Sequence, residues 1–186
     1  MAKETGLKPH NTDSVLFDAD TIATRIAGLG REIAESTNGN DLIIVGVLRG
    51  SFMFLADLSR QLHAAGLTPR IDFMTLESYH SGTTSSGVVR IIKDCSLDLR
   101  DQHIVLVDDI LDTGRTLTFA KRHLENKGAK SIQTCVLLDK PSRRVVPEMN
   151  ADHIGFEIED TFVVGFGLDY DGRYRELPQI SEVTFT

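Results

Sequence analysis

Continuous apolar runs alternate along this chain with helically spaced apolar sets, and this pattern predicts the order of strands and helices. Runs rich in β-branched residues are typical of strands buried on both faces of a sheet. They occur at Leu42–Leu48 and Ile104–Val107, and a further strand is predicted at Ser131–Leu138, which ends in the apolar run Cys135–Leu138. Helices are predicted over about residues 21–36, from Ser51 to Ala65 and from Thr116 to about Lys127. Strands that alternate with helices predict an α/β fold, with a central, mostly parallel sheet flanked by helices on both faces.

The first two helices each present one apolar face. Asp20 is the expected N-cap of the first helix, and Gly66 fits as the stop of the second. The residues expected to face the core are Ile22, Ile26, Leu29 and Ile33 in the first helix and Phe52, Leu55, Leu58 and Leu62 in the second. Both helices are therefore expected to pack against the sheet.

Two regions break the alternation of strands and helices. Ile71–Leu76 and Val88–Ile92 predict a hairpin whose small, polar connection, residues 77–87, is expected to be a mobile loop. After residue 150 the predicted strands are Ile154–Ile158, Phe162–Gly165 and Ile180–Phe185. We expect a single domain over residues 1–186, with a core at about 18–140. Residues 1–17 and 150–186 would form a small β-rich hood at the sheet's carboxyl edge. Within the first of these segments, residues 1–15 are expected to be either loose or a small arm.

Composition narrows the functional classes. The 186 residues are 41% hydrophobic and carry a formal net charge of −7, which argues against a nucleic-acid partner because such partners leave a basic footprint. Cys95 and Cys135 are far apart, so neither a disulfide framework nor a zinc site is expected. No apolar segment reads as a signal or a membrane span, and we expect a cytoplasmic protein without membrane partners.

A cluster of polar residues follows the apolar run Ile104–Val107. Its members are Asp108, Asp109, Asp112, Thr113, Gly114, Arg115 and Thr116. The pattern places them in a loop between a strand end and a helix N-terminus, where ligands bind in open α/β sheets. Backbone N–H groups there favour an anion, and Gly114 permits close approach. The carboxylates need a different partner, such as ribose hydroxyls or a divalent cation.

The stretch Val105–Thr116 closely resembles the phosphoribosyl-pyrophosphate motif of type I phosphoribosyltransferases. Further matches resemble the branch that acts on 6-oxopurines, of the hypoxanthine-guanine type. They are Leu48–Ser51, Leu76–Tyr79, Leu138–Lys140, Phe162–Tyr170 and Arg175. The resemblance implies the type I phosphoribosyltransferase fold. Asp108–Asp112 is also a DDxxD string, as in prenyl-diphosphate synthases, but those enzymes carry it on a helix of an all-α fold with a second acidic motif.

The resemblance also implies roles for the central motif. Asp108 and Asp109 would face the ribose 2′- and 3′-hydroxyls, since a carboxylate accepts two hydrogen bonds. Asp112 would be the general base near N7 of the purine, and it is also a candidate helix cap. The 5′-phosphate would be held by Thr113, Gly114, Arg115 and Thr116. Arg115 has the alternative of facing solvent.

Residues outside the motif receive roles by the same resemblance. Arg49, Gly50 and Arg175 would bind pyrophosphate, and Leu48–Arg49 would be either a cis peptide or an ordinary turn. Ser78 and Tyr79 would open a lid loop, or else an ordinary hairpin tip. Lys140, Phe162, Val163 and Asp169 would contact the purine. Mg²⁺ would be held by Asp169, with Asp108 and Asp109 as further ligands. The alternatives without a functional role are that Lys140, Asp169 and Arg175 are surface charges, and that Phe162 and Val163 pack in the core.

The implied reaction transfers a phosphoribosyl group from phosphoribosyl pyrophosphate to N9 of hypoxanthine or guanine. Its products are IMP or GMP and pyrophosphate, and its cofactor is Mg²⁺. A homodimer or homotetramer is typical of the family. Two alternatives remain: transfer to another base such as xanthine or uracil, and an RNA-binding regulator built on the same fold. The net charge of −7 disfavours the regulator.

Overall fold

The computed structural model describes residues 9–39, 41–79 and 88–185, with side chains throughout except at residues 9–13, 78–79, 88 and 185. In chain order the elements are β1 (Pro9–Phe17), α1 (Ala19–Thr37), β2 (Leu42–Leu48), α2 (Phe52–Ala64), β3 (Arg70–Tyr79), β4 (Val88–Lys93), β5 (His103–Leu111), α3 (Arg115–Asn126), β6 (Ser131–Asp139), a 3₁₀ turn (Pro141–Arg143), β7 (His153–Glu157), β8 (Val163–Val164) and β9 (Ile180–Phe185). In these residues no helix is long and apolar enough to cross a membrane.

A six-stranded sheet in the order β4-β3-β2-β5-β6-β7 forms the centre of the fold. Its strands run parallel except for β4, which returns antiparallel beside β3. Parallel strands bring their carboxyl ends to the same edge, so the segments that follow β2, β5 and β6 meet there. The predicted α/β fold with a mostly parallel sheet is confirmed.

The helices cover both faces of this sheet, as the apolar runs predict. Along β5, Val105 and Val107 pack on one face with α1 and α2, whereas Ile104 and Leu106 pack on the other. The second face is covered by α3 through Leu117, Ala120 and Leu124. Successive strand residues point to opposite faces, so a strand covered on both sides is apolar at every position.

A separate sheet of three antiparallel strands, in the order β1-β9-β8, joins the two ends of the chain. Of the two expectations for residues 1–15, the loose one is wrong for residues 9–15, because β1 pairs with β9 from Pro9 to Phe17. Within the segment assigned to the hood, β7 belongs instead to the large sheet, where it pairs with β6. The last predicted strand occupies Ile180–Phe185 as expected.

Two details of the helices differ from the expectations. Asp18 rather than Asp20 caps α1, with its carboxylate accepting a hydrogen bond from the Thr21 N–H at 2.8 Å. In α2, Phe52 is 38% exposed and Phe54 is fully buried. Phe54 lies one turn before Leu58, whereas Phe52 is displaced from Leu58 by about 120° around the helix axis. The prediction that Phe52 faces the core is therefore wrong.

Candidate active site

The acid pair Asp108–Asp109 lies inside β5 rather than in the loop that the pattern predicted. The strand continues to Leu111, pairing Asp108 with Val136 and Ile110 with Leu138. Asp108 is only 6% exposed, and burial, followed by the neighbouring charge of Asp109, raises the pKa of its carboxyl group well above the usual range. Burial also raises the pKa of Asp109, while the positive charge of Arg175 opposes that rise.

Asp108→Asn should increase stability at neutral pH. The raised pKa means that the folded protein disfavours the charged form of Asp108. Below the ordinary pKa of 3.8 the carboxyl group is neutral in both the folded and the unfolded protein, so it does not lower the stability there. The free energy of unfolding then falls as the pH rises from that value through the raised pKa. We expect Asp108→Asn to be about 1 kcal/mol more stable at pH 7, with a smaller difference at pH 4, in urea unfolding.

The matched control for this prediction is Glu125→Gln, which removes an exposed carboxylate on α3. That variant should unfold within about 0.5 kcal/mol of the parent at pH 7, as is usual for an exposed substitution. A neutral Asp108→Asn that is less stable at pH 7, or a gap that does not depend on pH, would contradict the electrostatic account of the buried pair.

The turn after β2 packs directly on this acid pair. A Cβ atom placed on Gly50 would overlap the carboxylate of Asp109, so only glycine fits there without displacing that side chain. Of the two interpretations of the preceding bond, the structure has the cis peptide between Leu48 and Arg49. The predicted pyrophosphate turn and the predicted ribose acids are thus in contact.

The loop after β8 approaches the same turn from the other side. Gly167, with φ +102°, lies so close to the Gly50 carbonyl that a side chain would overlap it. The Arg175 guanidinium donates to the Gly167 carbonyl and forms an ion pair of 2.7 Å with Asp169. Residues far apart in the sequence therefore form one group, which runs from the β5 acids through Gly50 to the Asp169–Arg175 pair.

Asp112 lies beyond the end of β5 and is distinct from the buried pair. Its side chain is 42% exposed, and its carboxylate accepts from the Arg143 guanidinium at 3.2 Å. Arg143 also lies 3.5 Å from Asp160. The alternative that Asp112 caps the following helix is wrong, because the cap residue of α3 is Gly114 and no side chain bonds there.

The loop that is predicted to hold the 5′-phosphate lies between Asp112 and α3. Gly114 adopts φ +84° and is packed against Arg144 and Met149, each 3.2 Å from the position of a Cβ atom. Since α3 begins at Arg115, the N–H groups of its first turn have no partners within the helix. The Arg115 side chain is exposed, consistent with the alternative that it faces solvent.

Base-contacting candidates gather around the end of β6 and the loop before β8. Lys140 is 8% exposed, its ammonium group donates to the Thr161 carbonyl, and burial lowers its pKa. Phe162 meets Tyr170 edge to face, with ring centroids 5.8 Å apart. Val163 is 6% exposed within β8. The alternative that Lys140 is an exposed surface charge is therefore wrong.

Arg144 is a buried residue that the sequence does not single out, since charged residues in a turn usually face water. Its side chain is 9% exposed and pairs with Asp139, which is equally buried. Its guanidinium also donates to the carbonyls of Leu111, at 3.0 Å, and Asp112. An available signal was Asp139 itself, a carboxylate that ends an apolar strand and needs a partner.

The predicted lid falls mostly outside the described residues. Ser78 and Tyr79 end β3 in a backbone pairing with β4, and residues 80–87 are not described. The lid therefore stays a prediction.

Comparison with known proteins places this arrangement in a family. A family model described as the phosphoribosyl transferase domain matches residues 14–171. The chain belongs to the phosphoribosyltransferase family. Among phosphoribosyltransferases, hypoxanthine phosphoribosyltransferase of Escherichia coli K12 is 45% identical over 175 residues, covering 93% of this chain and 96% of that protein. Hypoxanthine-guanine phosphoribosyltransferase of Mycobacterium avium is 42% identical over 185 residues, covering 96% of this chain and 89% of that protein.

Solved phosphoribosyltransferases share the fold. A hypoxanthine phosphoribosyltransferase from Staphylococcus aureus superimposes with a TM-score of 0.87 at 38% identity, covering 93% of this chain and 92% of that one. The Trypanosoma cruzi enzyme, solved as a ternary complex with substrates, gives 0.87 at 39% identity, covering 93% and 96%. The resemblance to the hypoxanthine-guanine branch is confirmed.

Proposed function

We propose that this phosphoribosyltransferase moves the 5-phosphoribosyl group from phosphoribosyl pyrophosphate to N9 of hypoxanthine, guanine or both. One bond from C1′ to a pyrophosphate oxygen breaks, one bond from C1′ to N9 forms, and the base loses a proton. The observation that carries the proposal is the contact of three segments at one sheet edge. Acids of β5, the turn after β2 and the loop carrying Arg175 meet there, and Asp112 and Lys140 lie at the ends of neighbouring strands.

Asp108 and Asp109 hold the ribose in this proposal. Asp108 is buried and Asp109 is half-buried, and adjacent acids in such surroundings are stabilised by hydroxyl donors. As C1′ gains positive charge while the pyrophosphate departs, negative charge beside the sugar lowers the energy of the transition state. The same acids that cost stability in the free protein thereby serve the reaction.

Asp112 and Lys140 act on the base. The Asp112 carboxylate accepts the proton that the purine releases at N7, and its exposure leaves it accessible to a ligand. The Lys140 ammonium group donates to O6, a contact that a 6-amino purine cannot accept. Phe162 provides an aromatic face for the ring, and the Val163 backbone lies beside it.

The donor set fits magnesium bound together with a substrate phosphate. Among the described residues, no three His, Cys, Asp or Glu side chains gather as a complete metal cage. Mg²⁺ commonly uses one or two protein carboxylates with water and substrate phosphates. Asp169, which forms an ion pair with Arg175, can supply such a carboxylate, and Asp108 and Asp109 are the further candidates. When bound, magnesium supplies positive charge to the pyrophosphate oxygens. Arg175 and Arg49 hold that group, and Thr113–Thr116 holds the 5′-phosphate.

A spectrophotometric assay with phosphoribosyl pyrophosphate and a panel of bases tests this function. We expect turnover with hypoxanthine or guanine, loss of turnover when EDTA removes magnesium, and much weaker turnover with adenine and uracil. Activity with uracil alone, or no activity with any 6-oxopurine, would contradict the proposal.

Lys140→Gln should weaken the discrimination between hypoxanthine and adenine. A glutamine amide both donates and accepts, so the 6-amino group is no longer opposed by a donor alone. We expect the ratio of kcat/KM for the two bases to fall about 10- to 100-fold, measured with each base in turn. Lys130→Gln, which removes an exposed lysine, should leave the ratio unchanged. An unaltered ratio in Lys140→Gln would assign O6 recognition to another group.

We propose that the enzyme functions in the cytoplasm. Its cysteines are buried, reduced and unpaired, which suits a reducing cytoplasm. We propose a single functional domain that works as a homodimer or homotetramer. A study of a Trypanosoma cruzi relative, which superimposes with a TM-score of 0.88 at 37% identity, concerns its oligomeric state and activity. Light scattering of the purified chain tests the oligomer.

A further inference from the structure

Two loops of the proposed site are joined by a buried ion pair. One loop follows β5 and carries Asp112, and the other follows β6 and carries Lys140. Arg144 and Asp139 form the pair, each with a side chain 9% exposed. Asp139 immediately precedes Lys140, so the pair lies between the residue proposed to accept the base proton and the residue proposed to read O6.

The Arg144 guanidinium fixes the backbone on both sides of the peptide bond between Leu111 and Asp112. It donates to the Leu111 carbonyl at 3.0 Å and to the Asp112 carbonyl, while its other terminal nitrogen binds Asp139. A guanidinium presents its donors in a rigid fork, so these contacts define an orientation and not merely a distance. The carbonyl of the residue that carries the proposed base is therefore held directly.

Backbone hydrogen bonds join the same loops further. The Leu111 carbonyl also accepts from the Lys140 N–H at 3.0 Å. The Thr113 carbonyl accepts from the N–H groups of Val145 and Val146 at 3.0 and 3.2 Å. Arg144 is the side chain at the centre of this set, because it connects both loops and packs against the position of Gly114.

The neighbouring arginine acts in a different way. Arg143 is 46% exposed and touches the Asp112 carboxylate itself, where a bound purine would displace or share the contact. Arg144 instead donates to the carbonyls of Leu111 and Asp112. The two adjacent basic residues are thus separated by function, one facing the reacting group and one holding its support.

We propose that Arg144, oriented by Asp139, is a positioning residue that sets Asp112 and Lys140 at the spacing the base requires. The inference rests on the proposed function, since Arg144 can position Asp112 and Lys140 for the reaction only if those two residues act on the purine. Buried ion pairs contribute little net stability compared with apolar residues of similar volume, so the presence of this pair is better explained by a geometric task than by stability.

The test compares Arg144→Met, which keeps the stem of the side chain, with the double variant that also carries Asp139→Val. We expect kcat for hypoxanthine to fall about 100-fold in both, with KM for phosphoribosyl pyrophosphate changed less than about twofold. The double variant should recover the melting temperature that Arg144→Met loses, because no unpaired charge stays buried, yet kcat should stay low. Arg31→Met, an exposed arginine on α1, is the control and should behave as the parent.

A further arm separates positioning from general damage. Asp112→Asn should lower kcat by a much larger factor in the parent than in Arg144→Met, since the Asp112 carboxylate is already misplaced in Arg144→Met. Equal costs in both backgrounds, or a kcat that returns together with the melting temperature in the double variant, would overturn the proposal. Absence of turnover in the parent protein would instead refute the proposed function, so the two failures are distinguishable.

Discussion

Asp112→Asn should lower kcat for IMP formation about 100- to 10,000-fold, the usual size of a general-base contribution. Asparagine keeps the shape of the side chain but cannot accept the proton that leaves the purine. Because Asp112 is 42% exposed and lies outside the buried acid pair, stability and IMP affinity should change little. Steady-state kinetics and calorimetric titration with IMP measure the two quantities separately.

Asp160→Asn provides the matched control for this variant. Asp160 lies beside the same Arg143 guanidinium, at 3.5 Å, so its removal changes the local charge equally. It should leave kcat within about threefold of the parent, since it holds no proton-accepting role. Parent-like turnover in Asp112→Asn, or an equal loss in both variants, would remove Asp112 from the mechanism.

Gly50→Ala should lower kcat/KM for phosphoribosyl pyrophosphate about 100-fold, the scale of a misplacement of about 1 Å. A Cβ atom there would overlap the Asp109 carboxylate, and the carbonyl of the same residue abuts Gly167. The turn therefore has little freedom to retreat, and the carboxylate must leave its place beside the sugar. Kinetics with varied phosphoribosyl pyrophosphate measure the effect.

Gly28→Ala is the corresponding control, because its added Cβ would meet only the flexible end of the Arg25 side chain, at 3.1 Å. That variant should keep parent kinetics. Thermal unfolding of Gly50→Ala identifies a loss due to misfolding alone. If a folded Gly50→Ala binds and uses phosphoribosyl pyrophosphate normally, Asp109 does not hold the sugar.

The sequence is sufficient to predict a sheet covered by helices on both faces, because strands that are buried on both faces, such as Leu42–Leu48, are apolar at every position. It was insufficient for the end of β5, where the pattern turns polar at Asp108. Pairing of Ile110 with Leu138 extends that strand, and pairing register depends on a neighbour that local patterns do not contain. For the same reason the sequence predicts no strand at Pro9–Phe17, although it assigns this segment to the hood, since the partner of β1 is at the other end of the chain.

The candidate site was identified from motif resemblance, but its contacts were not. Nothing local to Gly50 indicates that it lies against Asp109, or that Gly167 lies against Gly50. Arg144 is not identified from the sequence, because charged residues in a turn usually face water, and only the fold shows that Asp139 and two carbonyls enclose it. Local chemistry thus indicated which residue types matter, and the tertiary fold determined which of them meet.

The central claim is that this site joins a purine to a phosphoribosyl group at N9. The most direct test incubates the purified chain with phosphoribosyl pyrophosphate, magnesium and hypoxanthine, identifies the nucleotide by NMR and quantifies pyrophosphate. We expect IMP linked through N9, with one pyrophosphate released for each nucleotide formed. Pyrophosphate release without nucleotide, or a nucleotide linked through another ring nitrogen, would contradict it.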